Sequence, residues 1–205
     1  MRPDEIEKQS FQIIEEEAGP HRFSTAQWPI VRRVIHTTAD FEYLQTMRFH
    51  PDAVAAGVEA IRSGQTVITD TNMVRVGVRA RDLQQYSAAC RCLMDDPQIQ
   101  RIAEQQGTTR AAAAVDAAIE AMEGSIYAIG NAPTALLRLI ERIEQGDARP
   151  ALVIGLPVGF VNAAESKAAL AALDTAYITN TGRKGGSNVA ASVVNALILL
   201  AGGQS

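Results

Sequence analysis

Two rhythms of apolar residues divide the chain near residue 66. Before it, hydrophobic side chains recur at helical spacing. Pro3 opens a stretch in which Ile6, Ser10, Ile13 and Ile14 share a face and Gly19-Pro20 ends it, so the pattern predicts a helix with Ser10 on its buried stripe. The pair Ser24-x-x-Gln27 has the form of a capping box. It introduces a second helix that carries Val31, Val34 and Ile35 to about Thr38, although Pro29 inside it removes a backbone donor. A third helix follows His50-Pro51-Asp52, marked by Val54, Val58 and Ile61 and stopped by Gly64.

Beyond residue 66 the pattern becomes short continuous apolar runs alternating with helical segments, as in a parallel sheet buried on both faces. Strands are expected at 66–69, 88–93, 125–129, 151–155 and 176–179, and helices at 98–105, 110–122, 132–144, 166–173 and 187–200. Right-handed crossovers then give a doubly wound, mainly parallel five-stranded sheet in a three-layer α/β/α sandwich with a helical N-terminal segment. The segment 73–85 fits neither rhythm. One domain over residues 1–205 suits this length.

Composition narrows the function classes. A 47% apolar share with 20% charged residues is ordinary for a soluble domain, and a net charge of −4 without like-charge blocks favours neither nucleic acid nor a membrane surface. The longest apolar stretch, 190–201, is short for a membrane span, and the acidic N-terminus has no signal-peptide core. Cys90 and Cys92, two residues apart on an expected strand, are poorly spaced for a disulfide; buried reduced thiols and a cytoplasmic location are expected.

Candidate chemistry lies where helices and strands end. His36 is an imidazole at the end of an apolar helix, the side chain able to exchange protons near neutrality. The alternative for it is a satisfied helix-terminal histidine. The expected strand ends carry Thr69-Asp70-Thr71-Asn72, Asp95-Asp96, Gly130-Asn131-Ala132-Pro133-Thr134, Gly155-Leu156-Pro157-Val158-Gly159 and Thr179-Asn180-Thr181-Gly182-Arg183-Lys184-Gly185-Gly186-Ser187. These lie at the carboxyl edge, where open α/β sheets bind ligands. Arg110 and Arg183-Lys184 sit at helix N-termini, against the helix dipole, which implies a carboxylate or phosphate partner unless they simply reach solvent. The alanine run 111–114 suits close packing, against a flat ligand, a subunit or the sheet. P-loop, dinucleotide-binding and nucleophile-elbow motifs are absent. The three histidines lie in separate segments, His21 and His50 beside prolines where surface exposure is expected, so no protein-bound metal is expected.

Six ordered blocks give the chain a resemblance to the precorrin-8X methylmutases of corrin biosynthesis. They are residues 33–40 (RVIHTTAD), 69–74 (TDTNMV), 109–114 (TRAAAA), 129–136 (IGNAPTAL), 155–161 (GLPVGFV) with Glu165-Ser166-Lys167, and 182–187 (GRKGGS). Asn188, Ser192 and Trp28-Pro29 are mild departures. The resemblance implies an isomerase that moves a methyl group from C-11 to C-12 of precorrin-8X or its cobalt form. It makes His36 the catalytic residue, with Ser10, Arg33, Arg110, Asn131, Arg183, Lys184, Gly185 and Ser187 against the substrate. It also implies a homodimer, no cofactor of the protein's own, and any cobalt carried by the macrocycle. A noncatalytic carrier of a carboxylated tetrapyrrole is the other class.

Overall fold

Strand residues one apart must face opposite layers, and that alternation organises the whole molecule. The computed structural model describes residues 2–203. In chain order the elements are α1 (Pro3–Ala18), α2 (Trp28–Thr38), α3 (Tyr43–Thr46), β1 (Met47–Phe49), α4 (Ala53–Arg62), β2 (Val67–Thr69), α5 (Asn72–Gly77), α6 (Ala80–Gln84) and β3 (Cys90–Cys92). They continue with α7 (Pro97–Gln106), α8 (Arg110–Ala118), β4 (Ile126–Ile129), α9 (Pro133–Glu144), β5 (Leu152–Gly155), α10 (Ala163–Ala171), β6 (Tyr177–Asn180) and α11 (Ser187–Ala201). The sheet order is β1-β6-β5-β4-β2-β3, parallel except for β1.

Register sorts the strand side chains into two cores. Val67, Ile126 and Leu152 stand side by side and join residues of α1, α2, α4, α5 and α11. Ile68, Tyr127 and Val153, one position on, join α8, α9 and α10 on the opposite face. Burial on both faces explains why these strands read as unbroken apolar runs. The alanines of α8 are buried with Ile99 and Ala103 of α7 and against the sheet-side core, so the run serves helix packing. Within α11, Ser192 donates to the Val189 carbonyl (2.7 Å), and Asn195 accepts from Arg79 N–H (2.8 Å) and donates to the Gly77 carbonyl (2.9 Å). Asn195 thereby joins α5 to α6, the two short helices that occupy the segment without a clear rhythm.

The sheet has six strands where five were expected. β1 is only Met-Arg-Phe between a helical turn and His50-Pro51, too short to display alternation; its pairing with β6 creates it. The expected strand 88–93 shortens to β3, an edge strand with Arg91 exposed and both cysteines half-buried. Pro29 falls in the first turn of α2, where no intrahelical donor is needed. The Ser24 and Gln27 pair forms reciprocal bonds of 3.2 and 3.3 Å one residue ahead of that helix. The stripe of α1 divides: Ile14 is buried, whereas Ile6 and Ile13 are 50% and 45% exposed and Ser10 is half-buried.

Asp70, directly after β2, is buried and accepts the N–H groups of Gly130 (3.0 Å), Asn131 (2.8 Å) and Ala132 (2.8 Å). Burial raises its pKa above the ordinary carboxylate value, while the three amides pull the other way. Gly130 is needed because a Cβ there would lie 2.6 Å from the Ser187 Cα. Asp70→Ala leaves one buried and two partly buried amides without this partner, an expected loss of roughly 3 kcal/mol in chemical denaturation. A loss under about 1 kcal/mol would show that the turn after β4 does not depend on this carboxyl.

Candidate active site

His36 occupies the last turn of α2, a favourable place for a cation at a helix C-terminus. Its ring is exposed and meets Phe11 of α1 edge-on, with centroids 5.2 Å apart. A cleft of about 450 Å³ opens between the two helices, lined by Ser10, Ile13, Glu17, His36, Ala39 and Phe41 among others. Ser10, Ile13 and Ile14 of the α1 stripe therefore form one wall of this cleft, with Ile6 outside it. Ser10 donates its hydroxyl to the Ile6 carbonyl (2.8 Å). Arg33 packs its guanidinium 5.1 Å from the Phe11 ring centre and pairs with Glu7 (3.1 Å). Arg32 and Trp28 both bond Glu15, at 2.9 and 2.7 Å, so α1 is fastened to α2 along its length.

Past His36 the chain turns sharply. Ala39 has a left-handed backbone (φ 51°), unusual for a residue with a Cβ, and its N–H caps the Ile35 carbonyl at 2.7 Å. The turn delivers Asp40 and Glu42 to Lys184 in the loop after β6. Asp40 also accepts the Glu42 N–H (2.9 Å), and the Lys184 ammonium, then that amide, holds its carboxyl below the ordinary value. The same two carboxylates hold the Lys184 ammonium above its ordinary value. The negative partner expected from a ligand for Lys184 is thus supplied by the chain itself.

The loop carrying Lys184 rests on Lys167. This side chain is 1% exposed and donates to the Lys184 carbonyl (2.6 Å) and to Asn180 Oδ1 (3.0 Å), with no carboxylate partner among the described residues. Asn180 Nδ2 donates to the same Lys184 carbonyl (2.9 Å). Burial pushes the Lys167 pKa down from 10.5 to about 8. Gly185 is demanded by the chain rather than by a ligand alone, since a Cβ there would lie 2.3 Å from the Leu156 carbonyl oxygen. Ser187 is likewise taken up: its hydroxyl is buried and shares a 3.1 Å bond with Thr71. Arg183 projects outward with its guanidinium 5.5 Å from the ring centre of Phe160, which is 84% exposed.

Arg110 and Asn131 are exposed at the carboxyl edge of the opposite layer, and neither lines the His36 cleft. Thr109 caps α8 through the Ala112 N–H (3.2 Å) and donates to Thr134 (3.0 Å), tying the N-termini of α8 and α9 together beside them. The Arg110 side chain has no ion pair or hydrogen bond among the described residues. His21 stacks on Trp28 at 4.0 Å. His50, expected at the surface, is half-buried between Asp52 and Asp174 (3.8 and 3.6 Å). No group of three or more His, Cys, Asp or Glu side chains is placed to hold a metal among the described residues.

Sequence reasoning gave no role to Asp40, Glu42, Asp70 or Lys167. Lys167 had a visible signal: Ala163, Ser166, Lys167 and Leu170 form the single buried stripe of α10, so helical spacing alone places a lysine inside.

Comparison with known proteins agrees across nearly the whole chain. The family described as Precorrin-8X methylmutase matches residues 5–200. A cobalt-precorrin-8 methylmutase of Priestia megaterium is 50% identical over 201 residues, covering 98% of this chain and 89% of its own. A precorrin-8X methylmutase of Pseudomonas aeruginosa is 40% identical over 194 residues, covering 94% and 93%. The crystal structure of the precorrin-8X methyl mutase of Thermus thermophilus superposes with a TM-score of 0.91 at 46% identity, covering 98% of both chains.

The buried lysine gives a pH test. Between about pH 8 and 10.5 the folded chain has lost the Lys167 proton and the unfolded chain keeps it, so this group's contribution to stability rises with pH there. Lys167→Met removes that dependence and leaves every other titration in place. The unfolding free energy of the wild type minus that of the variant is expected to increase from about pH 7.5 to about pH 9.5. A difference that stays flat across that interval would mean that Lys167 is not depressed.

Proposed function

The chain belongs to the precorrin-8X methylmutase family, and on that premise we propose that it isomerises precorrin-8X or cobalt-precorrin-8 by moving a ring methyl group from C-11 to C-12. The observation that carries the catalytic reading is His36, an exposed imidazole on the rim of a largely apolar cleft. A sigmatropic methyl shift breaks one carbon–carbon bond as it forms another. It requires no nucleophile, only a proton lent to the conjugated macrocycle and a fixed orientation. His36 lends that proton. The apolar side chains Ile13, Ile14, Ile35 and Phe41 suit the ring, with Ser10 beside them in the lining and Arg33 outside it, against Phe11. Arg110, Asn131, Arg183, Lys184, Gly185 and Ser187 form the edge toward which the peripheral carboxylates extend, Arg110 and Arg183 having no carboxylate partner among the described residues. Cobalt, where present, is held by the macrocycle as part of the substrate.

Val158, Phe160 and Val161 are 44%, 84% and 77% exposed, and Met73 and Val76 are 70% and 71% exposed, all after strands that end at the carboxyl edge. Apolar surface of this kind suits a second copy of the chain. A reducing cytoplasm suits the two free thiols, and among the described residues no helix is long and apolar enough to cross a membrane.

His36→Ala is expected to keep the fold, with unfolding free energy within about 1 kcal/mol of wild type, and still to bind the corrinoid product. Its turnover of metal-free precorrin-8X should fall roughly 10²- to 10⁴-fold, and wild-type turnover should survive treatment with a strong chelator. The absorption change of the macrocycle reports turnover, which a carrier would not produce. Near-wild-type rates in the variant would remove His36 from the reaction, and chelator-sensitive rates restored by a divalent metal would bring in a metal site.

Light scattering is expected to give twice the chain mass of 22.0 kDa, and Phe160→Asp to shift the protein toward one chain mass with its secondary structure intact. A wild type at a single chain mass would refute the dimer.

A further inference from the structure

Lys167 is a buried ammonium that the proposed reaction does not use. Its partners are the side-chain oxygen of Asn180 and the carbonyl of Lys184, and Asn180 donates to that same carbonyl. A buried charge satisfied by neutral oxygens is a costly arrangement, so its geometry must fix something. What it fixes is the backbone of Lys184 at the centre of residues 181–186. Either side of it, Thr181 N–H bonds the Thr46 carbonyl and Gly186 N–H bonds the Leu156 carbonyl, both at 2.9 Å. Outward from the anchored carbonyl, the Lys184 side chain reaches Asp40 and Glu42, in the turn that follows His36.

We propose that Lys167 is a positioning residue for substrate binding, holding the 181–186 loop so that Lys184 and the Asp40 turn keep their places at the edge of the His36 cleft. This rests on the isomerase reading for what the loop binds, and on the geometry alone for what Lys167 holds. The side chain does not touch the cleft. Its loss therefore acts through the loop: substrate carboxylates meet a loosened edge, while proton delivery by His36 is unchanged once substrate is seated.

The test compares Lys167→Met with Met122→Ala, a variant in the core of the α8–α10 layer, whose packing cluster includes no residue of the loop and which lowers stability. In the ligand-free protein, amide hydrogen exchange at Thr181 and Gly186 should be about tenfold faster in Lys167→Met and should stay near wild type in Met122→Ala. With precorrin-8X, Lys167→Met should raise KM about tenfold or more while kcat stays within about threefold of wild type. Unchanged exchange at those two amides overturns the proposal, and so does an unchanged KM in an active variant. A wild type that exchanges as expected but turns over no precorrin-8X would instead defeat the isomerase reading. Should Lys167→Met not fold, Asn180→Ala keeps the ammonium but removes its bond to the Asn180 side chain and the bonds from Asn180 to the Lys184 and Thr181 carbonyls. It is expected to move exchange and KM the same way by a smaller factor, and no movement in either would also overturn the proposal.

Discussion

Two buried ionisable groups, neither with a counter-charge among the described residues, hold the carboxyl edge of the sheet. Asp70 gathers three backbone amides after β4, and Lys167 gathers a backbone carbonyl and an amide oxygen after β6. Burying either would be prohibitive without these dipoles, so each group is stable only while its loop keeps one conformation. Both loops run from buried strand ends out to the surface, and the two groups satisfy the backbone polar atoms at the inner part of each turn. Glycine at 130 and 185 completes the arrangement by letting neighbouring chain segments approach closer than any Cβ would permit.

That rigid edge positions a site assembled from the other end of the chain. The His36 helix belongs to the N-terminal segment, and three kinds of contact settle it: its apolar face against α11, its polar flank against α1 through Glu7 and Glu15, and its C-terminal turn against Lys184. The last links a turn near residue 40 to a loop near residue 184. Among the described residues the His36 side chain forms no hydrogen bond or ion pair, only an edge-on contact with Phe11, which leaves its nitrogens available at the cleft.

The layered α/β architecture was legible because continuous apolar runs and helical spacing are both strong signals, as in 126–129, 152–155 and 187–201. β1 was not, since three residues carry no period and the strand exists only through its partner. For the site, position along a helix was readable and direction was not. Helical spacing put Ser10 with Ile6, Ile13 and Ile14 on one face, yet only Ile14 of that face joins the core, while Ser10 and Ile13 line a cleft. Basic residues at helix starts pointed to negative partners, but only the tertiary structure could reveal that Asp40 and Glu42 serve Lys184, or that Ser187 is already engaged by Thr71.

The contrast between the two lysines bears on how a polycarboxylate could be taken in. Lys184 and its two acids are substantially exposed, with side-chain accessibilities of 46%, 30% and 51%, and solvent screens ion pairs in such surroundings so that they add little to stability. On the proposed reading, a substrate carboxylate would replace Asp40 or Glu42 at Lys184 at little cost, and the chain's own acids keep the ammonium in place without it. The backbone beneath must not move during that exchange, or the gain in contact would be lost to reordering the loop. Lys167, buried and bound to the Lys184 carbonyl, separates these demands: the charge at the surface can change partners while the peptide that carries it stays fixed.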